Sequence, residues 1–237
     1  TERGIETRAV PARGYALELL KVEPMKGGGV ARVVRGGAIA AVAISSAISV
    51  IRRVKPRVVM SMGGYAAGPV SLAAAALGVP LTILEPNSML GLANRILAPI
   101  CKRAFVSWQE TANAIGPQKC RMFGVPLRSG FLPHPESQNT VKRVLVMGGS
   151  QGAKAINDRM PSAIAKALQS IPAISVLHQT GKDRDADVEK AYRDHSVPSV
   201  IVSPFVDNVA DEIRNADLII ARAGAVTVAE ICAVGRA

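Results

Sequence analysis

The stretch Val144-Leu145-Val146-Met147-Gly148-Gly149-Ser150-Gln151-Gly152-Ala153-Lys154-Ala155-Ile156-Asn157 predicts the fold of this chain. Its four apolar residues are typical of a buried parallel strand, and apolar residues return at helical spacing after Lys154. The glycines let the backbone approach an anion, and the N–H groups at a helix start favour negative charge there. The pattern therefore predicts either a phosphate-binding loop or a tight connection in which Ser150 is the helix N-cap.

The same alternation of strand and helix runs through the whole chain. Short runs rich in Val and Ile are followed by Ala-rich or amphipathic segments, which predicts right-handed βαβ units and parallel sheets. Residues 131–140 have the composition of a linker, because they combine prolines with mostly polar residues. The sequence therefore predicts two Rossmann-like α/β domains, residues 1–130 and 141–237, that face a cleft. The predicted strands are 56–60, 81–84, 104–106, 121–123, 144–147, 174–177, 200–202 and 218–220.

Charge is distributed unevenly between these two domains. The chain of 237 residues has a net charge of +11. Residues 1–130 carry 17 Lys and Arg against 6 Asp and Glu, whereas residues 131–237 carry 12 of each kind. A basic surface suits nucleic acid, an anionic membrane or an anionic substrate. Only 3% of the residues are aromatic and no nucleic-acid motif is present, which disfavours a nucleic-acid partner.

The cysteines and histidines do not suggest a metal site. Three cysteines lie far apart, and the three histidines form no cluster at metal-ligand spacing. We therefore expect no metal and no disulfide framework, with the cysteines as small core residues in a reducing compartment.

The segment from Ala38 to Ile51 contains fourteen consecutive uncharged residues with basic residues at both ends. It is shorter than the roughly 20 apolar residues that a spanning helix needs. The segment predicts either a helix packed on a sheet or a helix near a membrane surface, where the basic residues would meet lipid phosphates.

The glycine pattern disfavours two common nucleotide sites. A dinucleotide fold places an acidic residue at the end of the next strand, but here that strand ends in Leu177-His178-Gln179. Lys154 does not stand in a Walker arrangement either. NAD and a Walker-type nucleotide site are therefore disfavoured.

Two polar residues at strand or helix ends are candidates for ligand contacts. Asn87 follows a predicted strand, where parallel sheets bind ligands, although an Asn after Pro is also common in turns. Thr227 and Glu230 have the spacing of a capping box, in which Glu230 would reach back to a helix-start N–H. Alternatively, Glu230 would accept hydrogen bonds from ribose hydroxyls while the first helical turn binds a diphosphate or a sugar.

Taken together, the motifs resemble the MurG family of peptidoglycan N-acetylglucosaminyltransferases. The resemblance extends over the whole chain, in the same order as in the family. In the first half it rests on Met62 to Tyr65 with Gly68-Pro69, Glu85-Pro86-Asn87, Gly91 to Asn94 and Gly124 to Arg128. In the second half it rests on Gly148 to Ala153 with Asn157, His178 to Lys182, Phe205 to Asp207 and Gly224 to Glu230.

The resemblance implies a GT-B fold and inverting transfer of GlcNAc from UDP-GlcNAc to lipid I, which gives lipid II at the cytoplasmic face of the bacterial membrane. It implies no cofactor. Ser150 would meet the donor phosphates with Gly149, Gln151 and Gly152, and Val206 would contact uracil through its backbone. Phosphate and sugar would be surrounded by Ala225, Val226, Thr227, Val228 and Ala229, with Glu230 on the ribose. Asn87 and Arg128 match first-domain family positions associated with the donor, and Tyr65 matches a family tyrosine in the cleft. The basic first half, with the segment from Ala38 to Ile51, would face the membrane and the acceptor.

The chain also departs from the family pattern. The family's Gly-rich loop, with the histidine that is the candidate base, would precede Thr1, and its Gln-containing donor motif would follow Ala237. We therefore expect an internal fragment that is inactive alone. Leu84 and Pro86 replace the His and Gln of many members, which puts those two contacts in doubt. Alternatives are another UDP-GlcNAc-using GT-B enzyme, such as a 2-epimerase, or a non-catalytic nucleotide- or lipid-binding module.

Overall fold

The computed structural model describes residues 6–20, 30–64, 66–133, 142–149, 152–171 and 173–236, with the backbone alone for 30–41. Its contacts divide the chain into two compact units, Thr1–Gly124 and Val125–Ala237. Each unit contains a four-stranded sheet in which all strands run parallel. The prediction of two parallel-sheet α/β units is confirmed.

The first unit has the strand order β1-β2-β3-β4. Its core lies between the sheet and the helices that follow β2 and β3, where the side chains of Ile83, Ala104 and Val106 are buried. The elements are α1 (Glu6–Ala9), α2 (Val30–Val54), β1 (Val59–Ser61), α3 (Ala67–Ala76), β2 (Leu81–Glu85), α4 (Leu92–Leu97), β3 (Arg103–Val106), α5 (Gln109–Ile115) and β4 (Cys120–Met122).

Helix α2 contains the uncharged segment that the sequence predicts to be helical. Ala47 and Ile51 are buried against Ala73 and Ala74 of α3, with Val59 of β1 at the edge of the same cluster. The helix therefore packs mainly on another helix and only at one point on the sheet. Within the described ranges, no helix combines the length and the hydrophobicity that crossing a membrane requires.

The second unit has the strand order β7-β6-β5-β8. One face of its sheet buries Val144, Val146 and Val176 with α6 and α7, and the other buries Leu145 and Met147 with α8 and α9. This two-sided burial explains why β5 is apolar without alternation from Val144 to Met147. The elements are β5 (Lys142–Met147), α6 (Lys154–Ala167), β6 (Ile174–Gln179), α7 (Asp185–Asp194), β7 (Val200–Ser203), α8 (Val209–Asn215), β8 (Leu218–Ala221) and α9 (Ala225–Val234).

The boundary between the units lies at residues 124 and 125, six residues before the end of the first domain predicted from sequence. Phe131 is buried in the second core, so it is not part of a solvated linker. The carbonyl of Gly130 accepts a hydrogen bond from Arg214 Nη1 at 3.0 Å. The carbonyl of Arg214 in turn accepts from Arg236 at 2.6 Å. These contacts fasten the segment after Gly124 to the second unit. Residues 134–140 of the predicted linker lie outside the described residues.

Two of the three cysteines are core residues as the sequence predicts. Cys101 and Cys120 are buried in the first unit, and desolvation raises the pKa of both thiols. Cys232 on α9 is exposed, so the expectation that it is a core residue is wrong.

Candidate functional site

The candidate site lies at the carboxyl edge of the second sheet, where the strand order reverses. The chain passes from β5 outward to β6 and β7, and then returns to place β8 on the other side of β5. Met147, the last residue of β5, pairs with Gln179 of β6 and with Ala221 of β8. The loops after these three strands therefore begin side by side. Open α/β sheets bind ligands at such a point.

The Gly-rich loop after β5 is shaped by contact with the loop after β6. Gly149 and Gly152 have φ values of +78° and +70°, and the Gly152 N–H donates to the Gly149 carbonyl at 2.9 Å. A Cβ atom on Gly152 would lie 2.2 Å from the carbonyl oxygen of Thr180, which no side chain can tolerate. Gly152 is therefore required for close packing of two loops as well as for its conformation.

Helix α6 begins at Lys154 and its N-cap residue is Ala153, which has φ −130° and ψ 101°. The interpretation that Ser150 is the N-cap is therefore wrong. Ser150 and Gln151 lie outside the described residues, so their proposed contacts with the donor stay predictions.

A chain of buried hydrogen bonds lies directly behind this loop. The Asn157 Nδ2 group donates to the Thr180 carbonyl at 3.0 Å, so Asn157 Oδ1 is the acceptor that faces His178 Nε2 at 3.1 Å. His178 Nε2 must therefore carry the proton, and Nδ1 accepts from the Tyr192 hydroxyl at 3.0 Å. Burial of His178 lowers its pKa to about 4, and burial raises the pKa of Tyr192. The imidazole is neutral at physiological pH.

The start of α9 supplies the second group of backbone donors. Gly224 is the N-cap residue in an extended conformation, and the Val228 N–H makes the first intrahelical bond to its carbonyl at 2.9 Å. The N–H groups of the three preceding residues point out of the helix end. Thr227 is the third helical residue and Glu230 the sixth, so the capping-box interpretation is wrong.

Glu230 is instead paired with Arg128, which precedes it by 102 residues. Arg128 Nε and Nη2 donate to Glu230 Oε1 at 3.0 and 2.7 Å. The Glu230 side chain is 4% exposed and that of Arg128 is 58% exposed. The Arg128 guanidinium also lies 5.2 Å from the ring centroid of Phe131. Both hydrogen bonds from Arg128 use Oε1 of the Glu230 carboxylate. The structure thus brings together two residues that the family resemblance associates with the donor.

The remaining candidates of the second half lie at the same edge or on α9. Val206 is half-buried in the loop between β7 and α8, and Asn208 caps α8 by accepting a hydrogen bond from the Asp211 N–H. The residues of α9 that the family resemblance places around phosphate and sugar form the first one and a half turns of the helix. They are Ala225, Val226, Thr227, Val228 and Ala229.

In the first unit, the carboxylate of Glu85 organises the end of β2. The residue is 3% exposed. Its Oε1 accepts from the backbone and side-chain N–H groups of Asn87 at 3.2 and 2.8 Å. Its Oε2 accepts from the Gly91 N–H at 3.1 Å and from Asn94 Nδ2 at 3.0 Å. Asn94 Oδ1 accepts from the Ser61 hydroxyl at 2.9 Å, which joins the end of β1 to the same network.

This network positions Asn87, the candidate contact of the first half. Asn87 is exposed, and its carbonyl accepts from the Thr111 hydroxyl at 2.7 Å. Glu85 thus holds the side-chain amide of Asn87, while the residue as a whole is exposed to solvent. Asn87 as a ligand contact stays a prediction, and Tyr65, the other cleft candidate, lies outside the described residues. Sequence reasoning missed Glu85 and Asn94 as a buried pair, although both stand within the quoted motifs.

Two family models match the chain. The model of the glycosyltransferase family 28 N-terminal domain matches residues 1–106, and that of the C-terminal domain matches residues 143–237.

Two curated relatives carry the name UDP-N-acetylglucosamine--N-acetylmuramyl-(pentapeptide) pyrophosphoryl-undecaprenol N-acetylglucosamine transferase. The protein of Sorangium cellulosum strain So ce56 is 51% identical over 100% of this chain and 59% of its own length. That of Myxococcus xanthus strain DK1622 is 36% identical over 98% of this chain and 61% of its own length. The chain thus spans about 60% of the length of these relatives.

Solved structures show the same architecture. The crystal structure of Acinetobacter baumannii MurG superposes with a TM-score of 0.69 at 27% identity, over 97% of this chain and 63% of that one. UDP-GlcNAc 2-epimerase from Neisseria meningitidis, bound to UDP-GlcNAc, gives a TM-score of 0.60 at 17% identity, over 84% of this chain and 62% of that one. The second likeness shows a shared fold and no more.

Proposed function

Because this chain belongs to glycosyltransferase family 28, we propose that its second unit binds UDP-GlcNAc and that the whole protein transfers GlcNAc to lipid I to form lipid II. The observation that supports the donor site most directly is the reversal of strand order. It brings the Gly-rich loop and the start of α9 to the same edge of one sheet. The loop leads into the start of α6, and the backbone N–H groups at the starts of α6 and α9 suit an anionic diphosphate.

The chemistry of inverting transfer fits such a site. The acceptor oxygen attacks the anomeric carbon while UDP leaves, so negative charge builds up on the diphosphate. N–H groups at the helix starts would stabilise that charge in the manner of an oxyanion hole, without a metal. Ser150 would add a hydroxyl donor, Val206 would contact uracil through its backbone, and Glu230 Oε2 would accept from a ribose hydroxyl.

The role of Glu230 can be tested by changing the residue and the ligand together. UDP and 2′-deoxy-UDP are titrated by calorimetry into the unmodified chain and into Glu230→Gln. We expect the variant to bind UDP about tenfold more weakly, because a hydrogen bond to a charged acceptor is lost. The loss should be much smaller for 2′-deoxy-UDP, which lacks one of the hydroxyl groups.

The matched control is Glu212→Gln. Glu212 pairs with Arg143 at 3.4 Å near the amino ends of the strands, away from the candidate site. This variant should bind both ligands as the unmodified chain does. Equal losses for the two ligands would show that Glu230 does not contact the 2′-hydroxyl of the ribose. A folded chain that binds neither UDP nor UDP-GlcNAc would contradict the donor site itself. A separate assay, transfer of labelled GlcNAc to lipid I by the whole protein, distinguishes a transferase from a 2-epimerase or a binding module.

We also propose that the first unit docks on the cytoplasmic face of an anionic bacterial membrane. Around α4, four large aliphatic side chains are exposed, with fractions of 74% for Met89, 72% for Leu92, 60% for Ile96 and 47% for Ile100. Leu92, Ile96 and Ile100 follow one another at intervals of four residues. The exposed cations Arg95, Lys102 and Arg103 lie beside them in the sequence. An apolar stripe with neighbouring cations is typical of a surface that enters a lipid interface.

This membrane contact predicts the behaviour of an Ile96→Asp variant. In sedimentation with vesicles that contain an anionic phospholipid, the variant should bind about tenfold more weakly, because an apolar side chain that enters the interface becomes charged. The control is Ile201→Asp, since Ile201 is 68% exposed on β7 of the second unit. Equal vesicle binding by the two variants would contradict this assignment of the stripe.

A further inference from the structure

We propose that His178 is a positioning residue for the Gly-rich loop, acting through Asn157 and the carbonyl of Thr180 to set the affinity for the donor diphosphate. This inference rests on the proposed function for its ligand, but the coupling of His178 to the loop is a property of the protein alone. His178 has no exposed surface, so it acts on a ligand only through other residues.

The path from His178 to the loop has three steps. His178 Nε2 donates to Asn157 Oδ1 at 3.1 Å, which fixes the orientation of the Asn157 amide. With its oxygen held, Asn157 points Nδ2 at the Thr180 carbonyl, 3.0 Å away. Gly152 packs directly on that carbonyl, so closely that a Cβ atom would lie 2.2 Å from the oxygen. The position of the Thr180 carbonyl therefore determines where the last glycine of the loop lies.

A histidine at this position supplies two directed hydrogen bonds from opposite sides of one ring. The Tyr192 hydroxyl, 3.0 Å from Nδ1, selects the tautomer in which Nε2 carries the proton. Tyr192 is itself buried, and its ring meets the imidazole edge-on with centroids 5.7 Å apart. Without a donor at Nε2, Asn157 Oδ1 loses its partner, and only the hydrogen bond from Nδ2 to the Thr180 carbonyl still orients the amide. The amide and the carbonyl on which Gly152 packs are then held from one side only.

The test compares His178→Leu with His178→Gln. Leucine fills similar volume without a hydrogen bond, whereas glutamine can place an amide N–H near the position of Nε2. We expect His178→Leu to accelerate hydrogen exchange of the Gly152 amide about tenfold and to weaken UDP binding by a similar factor. His178→Gln should restore both quantities to within about threefold of the unmodified chain.

The control is Val188→Ala, which removes two methyl groups from the same core. Val188 lies on α7 and is 4% exposed, and it takes no part in the hydrogen-bond path. This variant should lose stability without a specific effect on Gly152 or on UDP. If His178→Leu changes both quantities no more than Val188→Ala does, the proposal is wrong.

Two further outcomes are also informative. If His178→Leu does not fold, Tyr192→Phe takes its place in the test. Loss of the hydroxyl alone should accelerate hydrogen exchange at Gly152 relative to Val188→Ala. Equal exchange rates in Tyr192→Phe and Val188→Ala would overturn the proposal. If the unmodified chain does not bind UDP, the donor proposal fails. Exchange at Gly152 then still decides whether His178 positions the loop.

Discussion

Replacing Glu85 with leucine is expected to lower the free energy of unfolding of the first unit by about 2 kcal/mol, because one buried donor loses its acceptor at about 1 to 3 kcal/mol. That donor is the side-chain amide of Asn94, which is 1% exposed and lies 3.0 Å from Glu85 Oε2. The N–H of Gly91 belongs to an exposed residue and can turn to water. The Asn87 groups are exposed and can turn to water, so they add little. The loss should come from the interior of the network.

The measurement can be confined to the first unit by fluorescence. Trp108 is the single tryptophan of the chain, and its indole N–H donates to the Pro86 carbonyl at 3.0 Å, next to Glu85. Its emission during chemical denaturation reports on this region. The control is Glu110→Leu, an exposed position in α5 that should change stability by less than about 0.5 kcal/mol. If both variants unfold at the same denaturant concentration, the network does not stabilise the unit.

The second unit is expected to lose about 3 kcal/mol of stability between pH 7 and pH 4 through His178 alone. In the folded state burial lowers the pKa of His178 to about 4 from an ordinary value of 6.5. Between these values the unfolded chain binds a proton that the folded chain does not, so stability rises with pH at about 1.4 kcal/mol per unit. The contribution is complete above pH 6.5 and is lost as the pH falls toward 4.

This effect is measured as a difference between variants, since carboxylates also titrate in this range. Circular dichroism denaturation curves at several pH values are compared for the unmodified chain, His178→Gln and His195→Gln. His195 is exposed at the end of α7, so its variant should follow the unmodified chain. Between pH 7 and pH 4, the free energy of unfolding of His178→Gln should fall by about 3 kcal/mol less than that of the unmodified chain or of His195→Gln. Parallel curves for all three would mean that His178 is protonated as easily in the folded state as in the unfolded chain.

The elements with a strong local pattern could be predicted from the sequence. Strand β5 was evident because both of its faces are buried from Val144 to Met147, so that these four residues are uniformly apolar. Helix α5 was missed. Only Thr111 and Ala112 among its seven residues are buried, and its N-cap position is Trp108, which makes no side-chain capping bond. A short helix with so little apolar periodicity leaves no signal in the sequence.

The pairing of residues across the site could not be predicted from spacing. Arg128 and Glu230 are 102 residues apart, and only the family resemblance placed both near a donor. The helix that carries Glu230 begins at Ala225 with Gly224 as its N-cap residue, whereas a capping box would make Thr227 the N-cap residue. His178 did carry a signal, since a titratable residue between Leu177 and Gln179 in a central strand must find partners inside the protein. Which partners it finds depends on the fold.

The hydrogen bonds from Arg236 to Arg214 and from Arg214 to Gly130 have a consequence for the unfolding of the second unit. They hold α9 close to the segment just after Gly124, and the ion pair of Arg128 with Glu230 is a second contact between the same two parts of the chain. Separating the segment after Gly124 from α9 therefore requires that both sets of hydrogen bonds break, so we expect these two parts of the chain to unfold together.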